Sequence, residues 1–519
     1  MADGKASNQG HSSGAVRPIL LLVVAVSLMA VLLMATWVSP GDRLLLNAVS
    51  QQGLGPSVTA PDTRDRLLGG LLSPDFDDGS CLISRYRASL YRPSSLHNLS
   101  SHLVSRLRRY ESLHRLCGPG TPAYSHAVAR LRESMASNST NSDTAAAECR
   151  YIVWTPEEGL GNRIISTASA FLYALLTDRV LLVHHPSDDL NDLFCEPFPG
   201  SSTTWVLPDG DFPIRNITHF NVRTPDSLGN ALGRGEGSRD PPPPWLYIHL
   251  QTTNYTANDR RFFCDDGQDA VRGVGWLVLR SNNYFAPGLF VVPRFERELA
   301  RLFPRPDTLV PRSAEEQVGV QVRDFWFVPV SADDRYTQVM SCARRGSILP
   351  AVDNNTTALP SSDHQEQTKR KAVLVVSLRG EYYEKLSSLY YEHAAAGGAA
   401  VSVFQPTHLA VQHTEERQHN QKAFAEVVLL SFSDVLITSA QSTFGYVSHG
   451  LAGLRPWVLM MPVGGKVPDP PCRLAPTIEP CFIDAPHYDC RTRARGDSGR
   501  VVRHVRRCED APHGVHLVE

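Results

Sequence analysis

Neither sign of charge is in excess in this 519-residue sequence: 51 Lys plus Arg face 53 Asp plus Glu, a formal net charge of −2. Binding a nucleic-acid backbone takes a basic face, so this balance argues against a nucleic-acid partner. Charged residues are only 20% of the chain against 42% hydrophobic ones, too apolar a mixture for wholesale disorder. No collagen or solenoid period runs through the 36 glycines and 37 prolines, which are scattered. Metal-ligand spacings are missing too. Neither CxxC nor HExxH occurs. The Asp-x-Asp pairs Asp75/Asp77 and Asp209/Asp211 stand among prolines and glycines, where solvated turns account for them. No metal site is expected.

What the sequence does have begins with Ile19 to Val38, an apolar run interrupted only by Ser27 and Thr36. A helix of that length, at ~1.5 Å per residue, spans roughly the 30 Å of a bilayer's hydrocarbon core. A cleaved signal peptide has a shorter apolar region and small residues at the cleavage point, where Trp37 and Pro40 stand here. Residues 19–38 are therefore read as a retained signal anchor. Lys5 and Arg17 make residues 1–18 a cytoplasmic tail by the positive-inside rule. Residues 39–74, rich in Gly, Pro, Ser and Asp, read as a stem. All 10 cysteines follow the anchor, and an even count in a translocated body suits disulfides, although spacing does not give their pairing. N-glycosylation acceptor patterns occur at Asn98, Asn138, Asn216 and Asn254, and overlap at Asn354 and Asn355. These features describe a single-pass protein with a large lumenal or extracellular body.

Along the body, Leu103, Leu107 and Leu113 mark a helix. A strand is predicted at Tyr151–Trp154, a glycine turn at Gly159–Arg163, a helix at Ile164–Leu176 and a strand at Val180–Val183. That order is a βαβ unit and implies a parallel sheet. Residues 223–244, ending in consecutive prolines, look like a surface insertion, and 354–371 like a polar loop. Strands are further predicted at 318–323, 372–378, 400–404, 435–438 and 457–461, with helices at 381–394, 415–430 and 443–451. The expected fold class is α/β: two Rossmann-like lobes facing one another, an N-terminal one over 75–310 and a C-terminal one with its tail over 311–519. Open α/β sheets bind ligands at the carboxyl ends of their strands, so the cleft between the lobes is the expected active site.

Three features can carry chemistry there. Ser442 and Thr443 follow a strand and open a helix, either as plain caps or with the first free amides forming an anion site. Arg323 closes a strand, where a guanidinium either binds phosphate oxygens bidentately or makes a salt bridge. Asn162 and Arg163 lie on the glycine turn of the other lobe, whose spacing is not the GxGxxG dinucleotide fingerprint. The helix carrying His419, Gln421, Lys422 and Glu426 either reads a nucleotide or is a solvated face.

The runs GLGNRIISTASAFLYALLTDRVLLV, DLFCEPFPG, WLVLRSNNYFAPGLF, VGVQVRDF, FQPTH, HNQKAFAE and SAQSTFGYVSHGLAGLRPW occur here in that order. In them the chain resembles the plant xyloglucan (galactoside) alpha-1,2-fucosyltransferases, from about Leu68 to Cys490. The resemblance implies a GT-B-like fold, a type II Golgi membrane protein with a lumenal catalytic body, and inverting transfer without a metal or other cofactor. By the same resemblance Arg323 contacts the β-phosphate of GDP-fucose and is the catalytic residue. Ser442, Thr443, Phe444 and Gly445 hold the pyrophosphate, Gln321 joins the substrate-binding set, and Asn162 and Arg163 fall near the acceptor. The implied partners are GDP-fucose, a galactosylated polysaccharide or proteoglycan acceptor and the Golgi membrane, with a homodimer or a Golgi glycosyltransferase complex left open.

Two departures from the family's pattern stand out. The family has Asp where Asn282 precedes Asn283-Tyr284-Phe285, and an asparagine side chain cannot serve as a general base near neutral pH. Asn282 is therefore a substrate-site position where acceptor choice or turnover is expected to change. Gln441 replaces a tryptophan and removes a flat aromatic surface. The sequence thus supports a Golgi fucosyltransferase acting on the 2-hydroxyl of a galactosyl residue, on xyloglucan or a related cell-wall glycan. The alternative is a catalytically weak homologue that binds GDP or glycan as a subunit of a complex. Asn282 favours the alternative; Arg323 and the intact Ser-Thr-Phe-Gly segment favour the enzyme.

Overall fold

The computed structural model describes residues 99–137, 149–184, 204–236, 241–251, 256–302, 316–357, 370–414, 416–485, 488–496 and 503–518, with 193, 194, 196 and 254. They all belong to one compact unit, Arg64–Glu519. The expected tail, anchor and stem, the acceptor positions Asn98 and Asn138, and Cys81 and Cys195 lie outside the described residues. Among the described residues no helix is long and apolar enough to cross a membrane.

The first half runs α1 (Ser101–Cys117), α2 (Pro122–Ser137), β1 (Tyr151–Thr155), α3 (Leu160–Thr177), β2 (Val180–Val183), α4 (Leu228–Gly233), β3 (Trp245–Leu250), α5 (Asp265–Arg272), β4 (Trp276–Ser281), α6 (Ala286–Leu289) and α7 (Pro293–Leu302). Its strands form one parallel sheet in the order β2-β1-β4-β3. A parallel sheet is covered on both faces, which is why its strands read as unbroken apolar runs. The pleat divides them. Ile152, Trp154, Leu181 and Leu277 point into one core cluster, and Tyr151, Val153, Leu182 and Val278 into the other.

The second half runs β5 (Glu316–Gln321), α8 (Ala332–Arg345), β6 (Val352–Thr357), β7 (Arg370–Val376), α9 (Glu381–Glu392), β8 (His393–Ala395), β9 (Ala400–Phe404), α10 (Arg417–Leu430), β10 (Val435–Ser439), α11 (Thr443–Ala452), β11 (Trp457–Leu459) and β12 (Cys472–Leu474). The sheet order is β12-β11-β10-β5-β7-β9, parallel except for β12. Val318, Val320, Val373, Val375 and Ile437 centre its core. Two hairpins follow, β13 (Tyr488–Asp489) with β14 (Ala494–Arg495) and β15 (Val505–Arg507) with β16 (Val515–Leu517).

Four expectations change. Residues 161–163 are not a turn: α3 begins at Leu160 with Gly159 as its N-cap, so they form its first turn. The segment 223–244 is more than an insertion. Ser227 accepts the Asn230 amide at 3.1 Å and caps α4, whose Leu228, Ala231 and Leu232 enter the first core. That helix has only 6 residues, too few for its period to register. The polar segment from 354 is strand at its start, since β6 pairs antiparallel with β8, a partner too distant for local pattern to reveal. Finally, the tail grouped with the second lobe returns to the first. Phe482, Ala485, Val505, Val515 and Leu517 share a core with Phe263 and Phe285, because the tail's apolar residues complete that core's open end.

Disulfides join Cys117–Cys149, Cys264–Cys490, Cys342–Cys472 and Cys481–Cys508, so every cysteine among the described residues is paired. The acceptor positions Asn216 and Asn254 are exposed, and Asn354 and Asn355 fall on β6.

Candidate active site

The carboxyl ends of β5 and β10 and the amino ends of α3 and α11 meet at one cavity of about 460 Å³. The two helices, one from each half, touch at their first turns. A Cβ on Gly161 would lie 2.7 Å from Thr443 Oγ1 and 2.9 Å from the Phe444 nitrogen, so only glycine permits the approach. Beside it Thr443 Oγ1 donates to Asn162 Oδ1 at 3.0 Å, and Asn162 Nδ2 donates to the Asn282 carbonyl at 2.7 Å. The first amides of a helix have no intrahelical acceptor, and its amino end carries about half a positive charge. Two such ends here face one space.

Ser442 is the N-cap of α11, its Oγ accepting the Gly445 amide at 3.5 Å. Gln441 before it holds φ at +55°, a left-handed conformation uncommon outside glycine. Its amide donates to Asp510 Oδ2 at 2.9 Å. Under the loop, Gln321 Oε1 accepts the Ser439 amide at 3.2 Å, and a Cβ on Gly445 would meet Thr438 Cβ at 2.9 Å.

Arg323 lies two residues beyond β5. Its amide donates to Ser439 Oγ at 2.8 Å and its Nη2 to Gln412 Oε1 at 2.9 Å, with the guanidinium 6.0 Å from the Phe325 ring centre. Partial burial lowers its pKa from the ordinary guanidinium value and adjacent Asp324 opposes that shift, so the cation persists at neutral pH. Among the described residues no carboxylate lies within ion-pair distance of it. Asp324 is engaged elsewhere: Arg335 Nε lies 3.4 Å and Arg379 Nη1 3.7 Å from its oxygens, and the Tyr382 hydroxyl donates to it at 2.6 Å. Arg323 is thus a cation at the cavity wall, bonded to neutral partners.

Of the expected site residues, the structure brings Asn162, Gln321, Arg323, Ser442, Thr443 and Phe444 to the cavity wall. Three do not line it. Arg163 follows Asn162 by ~100° around the helix, which turns its side chain inward to burial. Asn282 is buried too and meets the site through its carbonyl rather than its side chain. Gly445 lies beneath the loop, where its missing side chain is the contribution.

The α10 helix divides by face. His419 and Glu426 are buried and line the cavity, while Gln421 and Lys422 are exposed, so the solvated-face reading holds for only half of it. Burial raises the Glu426 pKa, and its bond from Thr407 Oγ1 opposes the rise. Arg379 and Gln412 also line the cavity, and only their places beyond β7 and β9, at the carboxyl edge of the sheet, could have signalled them. Asp209 and Asp211 form a hydrogen-bonded turn with Pro208. The grouped Cys481, Cys508 and Asp510 offer no metal set, because the two sulfurs are bonded to each other.

Comparison with known proteins gives this geometry a family. The xyloglucan fucosyltransferase family model matches residues 46–313 and 310–491. A galactoside 2-alpha-L-fucosyltransferase of Pisum sativum is 41% identical over 481 residues, covering 88% of this chain and 82% of the relative. One of Arabidopsis thaliana is 42% identical over 496 residues, covering 91% of this chain and 86% of the relative. A solved structure of a mutant of Arabidopsis thaliana FUT1 in complex with GDP superposes with a TM-score of 0.76 at 39% identity, over 88% of this chain and 100% of that one. Parallel α/β halves, an Arg-bearing cleft between two helix amino ends and these matches agree: the chain belongs to the xyloglucan fucosyltransferase family.

Proposed function

We propose that the chain is an inverting glycosyltransferase that moves fucose from GDP-fucose to the 2-hydroxyl of a galactosyl residue on a cell-wall glycan such as xyloglucan. The observation that carries the donor assignment is the convergence of two helix amino ends and Arg323 on one cavity. Two ends of about half a charge each and one guanidinium amount to roughly two positive charges, matched to a diphosphate. In the reaction the acceptor oxygen bonds to fucose carbon 1 as the bond to the β-phosphate oxygen breaks, and the hydroxyl's proton passes to solvent or to the departing diphosphate. The departing diphosphate gains negative charge, which Arg323 and the first-turn amides of Thr443 and Phe444 stabilise more in the transition state than before it. We therefore read Arg323 as catalytic and Gln321, Ser442 and Asn162 as groups that shape the donor pocket. No divalent ion is required on this reading, because fixed protein charge supplies its electrostatic role.

The facing lobes are read as a GT-B-like arrangement with the acceptor on the first-lobe side. The apolar run at 19–38, the paired cysteines and the exposed acceptor asparagines support a type II Golgi protein with a lumenal body. The alternative of a non-catalytic binding subunit rested on Asn282, whose side chain does not line the cavity. The test is incubation of the detergent-solubilised protein with GDP-fucose and galactosylated xyloglucan oligosaccharides, with and without EDTA. A deoxyhexose mass increment insensitive to EDTA is expected. Absence of product while GDP still binds would overturn the assigned acceptor, and loss of activity in EDTA would overturn the metal-free mechanism.

A further inference from the structure

Gln441 and Asp510, 69 residues apart in sequence, hold each other's backbone. The Gln441 amide donates to Asp510 Oδ2 at 2.9 Å, and Gln441 Nε2 donates in return to the Asp510 carbonyl at 3.1 Å. The same Oδ2 accepts the Tyr446 hydroxyl of α11 at 2.7 Å. Asp510 is buried, and Gln441 is the residue whose φ of +55° turns the chain from β10 into the Ser442 cap. A side chain in that backbone region is sterically costly, so the conformation persists only where the surroundings impose it.

The other end of the clamp is fixed. Asp510 lies in the turn between β15 and β16, closed by the Cys508 amide donating to the Gly514 carbonyl at 3.1 Å. Cys508 is bonded to Cys481, and a Cβ on Gly514 would meet Cys481 Sγ at 2.4 Å, so the turn is packed against its own disulfide. Val505, Val515 and Leu517 of the hairpin are in the first-lobe core. The tail thus reaches from one lobe to the loop that opens α11 in the other.

We propose that Asp510 is a positioning residue for the donor diphosphate: through its reciprocal bonds with Gln441 it fixes the left-handed turn that aims the Thr443 and Phe444 amides into the cavity. The inference rests on the donor reading given above. It also gives Gln441 a task that the loss of an aromatic at this position does not suggest. Without the clamp the turn relaxes, and binding must bear the cost of ordering it.

Calorimetric titration of the detergent-solubilised full-length protein with GDP tests this. Asp510→Ala is expected to weaken GDP roughly 10- to 100-fold, the scale of losing bonds to a charged acceptor, with the KM for GDP-fucose rising alike and the acceptor KM unmoved. Asp510→Asn keeps an acceptor oxygen and is expected to restore most of the affinity. Tyr446→Phe removes the other bond to the carboxylate but leaves the clamp, so its melting temperature should fall while GDP affinity stays near wild type. Wild-type GDP affinity in a folded Asp510→Ala variant would overturn the proposal. So would GDP losses in Asp510→Ala and Tyr446→Phe that merely follow their losses in melting temperature. A wild-type protein that binds no GDP would overturn the donor reading and this inference with it, which sets that failure apart from the first two.

Discussion

Adding one methyl group at Gly161 tests whether the two helix amino ends act as one site. In Gly161→Ala the new carbon would stand 2.9 Å from both the Phe444 nitrogen and the Thr443 carbonyl carbon, where ordinary contact begins at 3.4 Å. The difference, 3.4 − 2.9, requires the two first turns to part by 0.5 Å. Thr443 Oγ1, at 2.7 Å, can rotate away, but only by giving up its bond to Asn162. Backbone atoms cannot rotate away. Overpacking of this kind costs about 1–3 kcal/mol, and the better helix propensity of alanine returns about 1, so the net loss of stability is small. Catalysis should suffer as well, because a 1 Å misplacement costs on the order of 10²-fold in rate and half of that shift on the order of 10-fold. Donor kinetics and GDP titration beside a melting curve read both effects. A folded variant with kcat/KM within about threefold of wild type would refute the joint-site reasoning.

Other perturbations address other parts of the argument. Arg323→Lys keeps the charge but loses the planar fork, and kcat/KM for GDP-fucose is expected to fall roughly 10²- to 10³-fold with the melting temperature unchanged; near-native turnover would remove Arg323 from the chemistry. Asn282→Asp places a carboxylate in a buried position off the cavity wall, so it should cost about 1–3 kcal/mol of stability without raising kcat, and a clear rise in kcat would reinstate a missing base. Glu479 is part-buried with the Tyr284 hydroxyl donating to it, and desolvation pushes its carboxyl up to about 7 from 4.5. Its raised pKa means that stability is greatest below pH 4.5 and declines as pH rises to about 7, by on the order of 3 kcal/mol from this group. Chemical denaturation of Glu479→Gln at pH 5 and pH 8 should show that much less decline than wild type, and equal declines would refute the assignment.

The α/β class was legible because the sheets are buried and, β12 apart, parallel, so most strands read as runs such as Tyr151-Ile152-Val153-Trp154 or Val373-Leu374-Val375-Val376, although Trp245–Leu250 and Trp276–Ser281 were not among the predicted strands. Arg323 and Ser442 were legible for a related reason: each follows such a run at the sheet's carboxyl edge. What escaped was whatever depends on a distant partner. Val352–Thr357 is strand only because His393–Ala395 pairs with it. Asp510 in an apolar-poor tail carries no local sign that it will meet Gln441. The glycines of the first lobe suggested a turn, yet Gly161 serves the approach of another helix from the other half of the chain, which no spacing within α3 can express.

The same distinction decides how the two departures from the family pattern should be weighed. Along the sequence both are losses, one of a carboxylate and one of an aromatic ring. In space, position 282 enters the site through its carbonyl, which accepts from Asn162, while Thr443 donates to the other end of that same amide. Aspartate and asparagine offer an identical carbonyl, so the bridge between the lobes does not depend on which is present. Position 441 enters through its amide and a side chain long enough to reach the Asp510 carbonyl, a bond that tryptophan's single indole N–H could make only from a different geometry. Neither substitution removes charge from the proposed diphosphate site, where Arg323 and the two helix ends are intact.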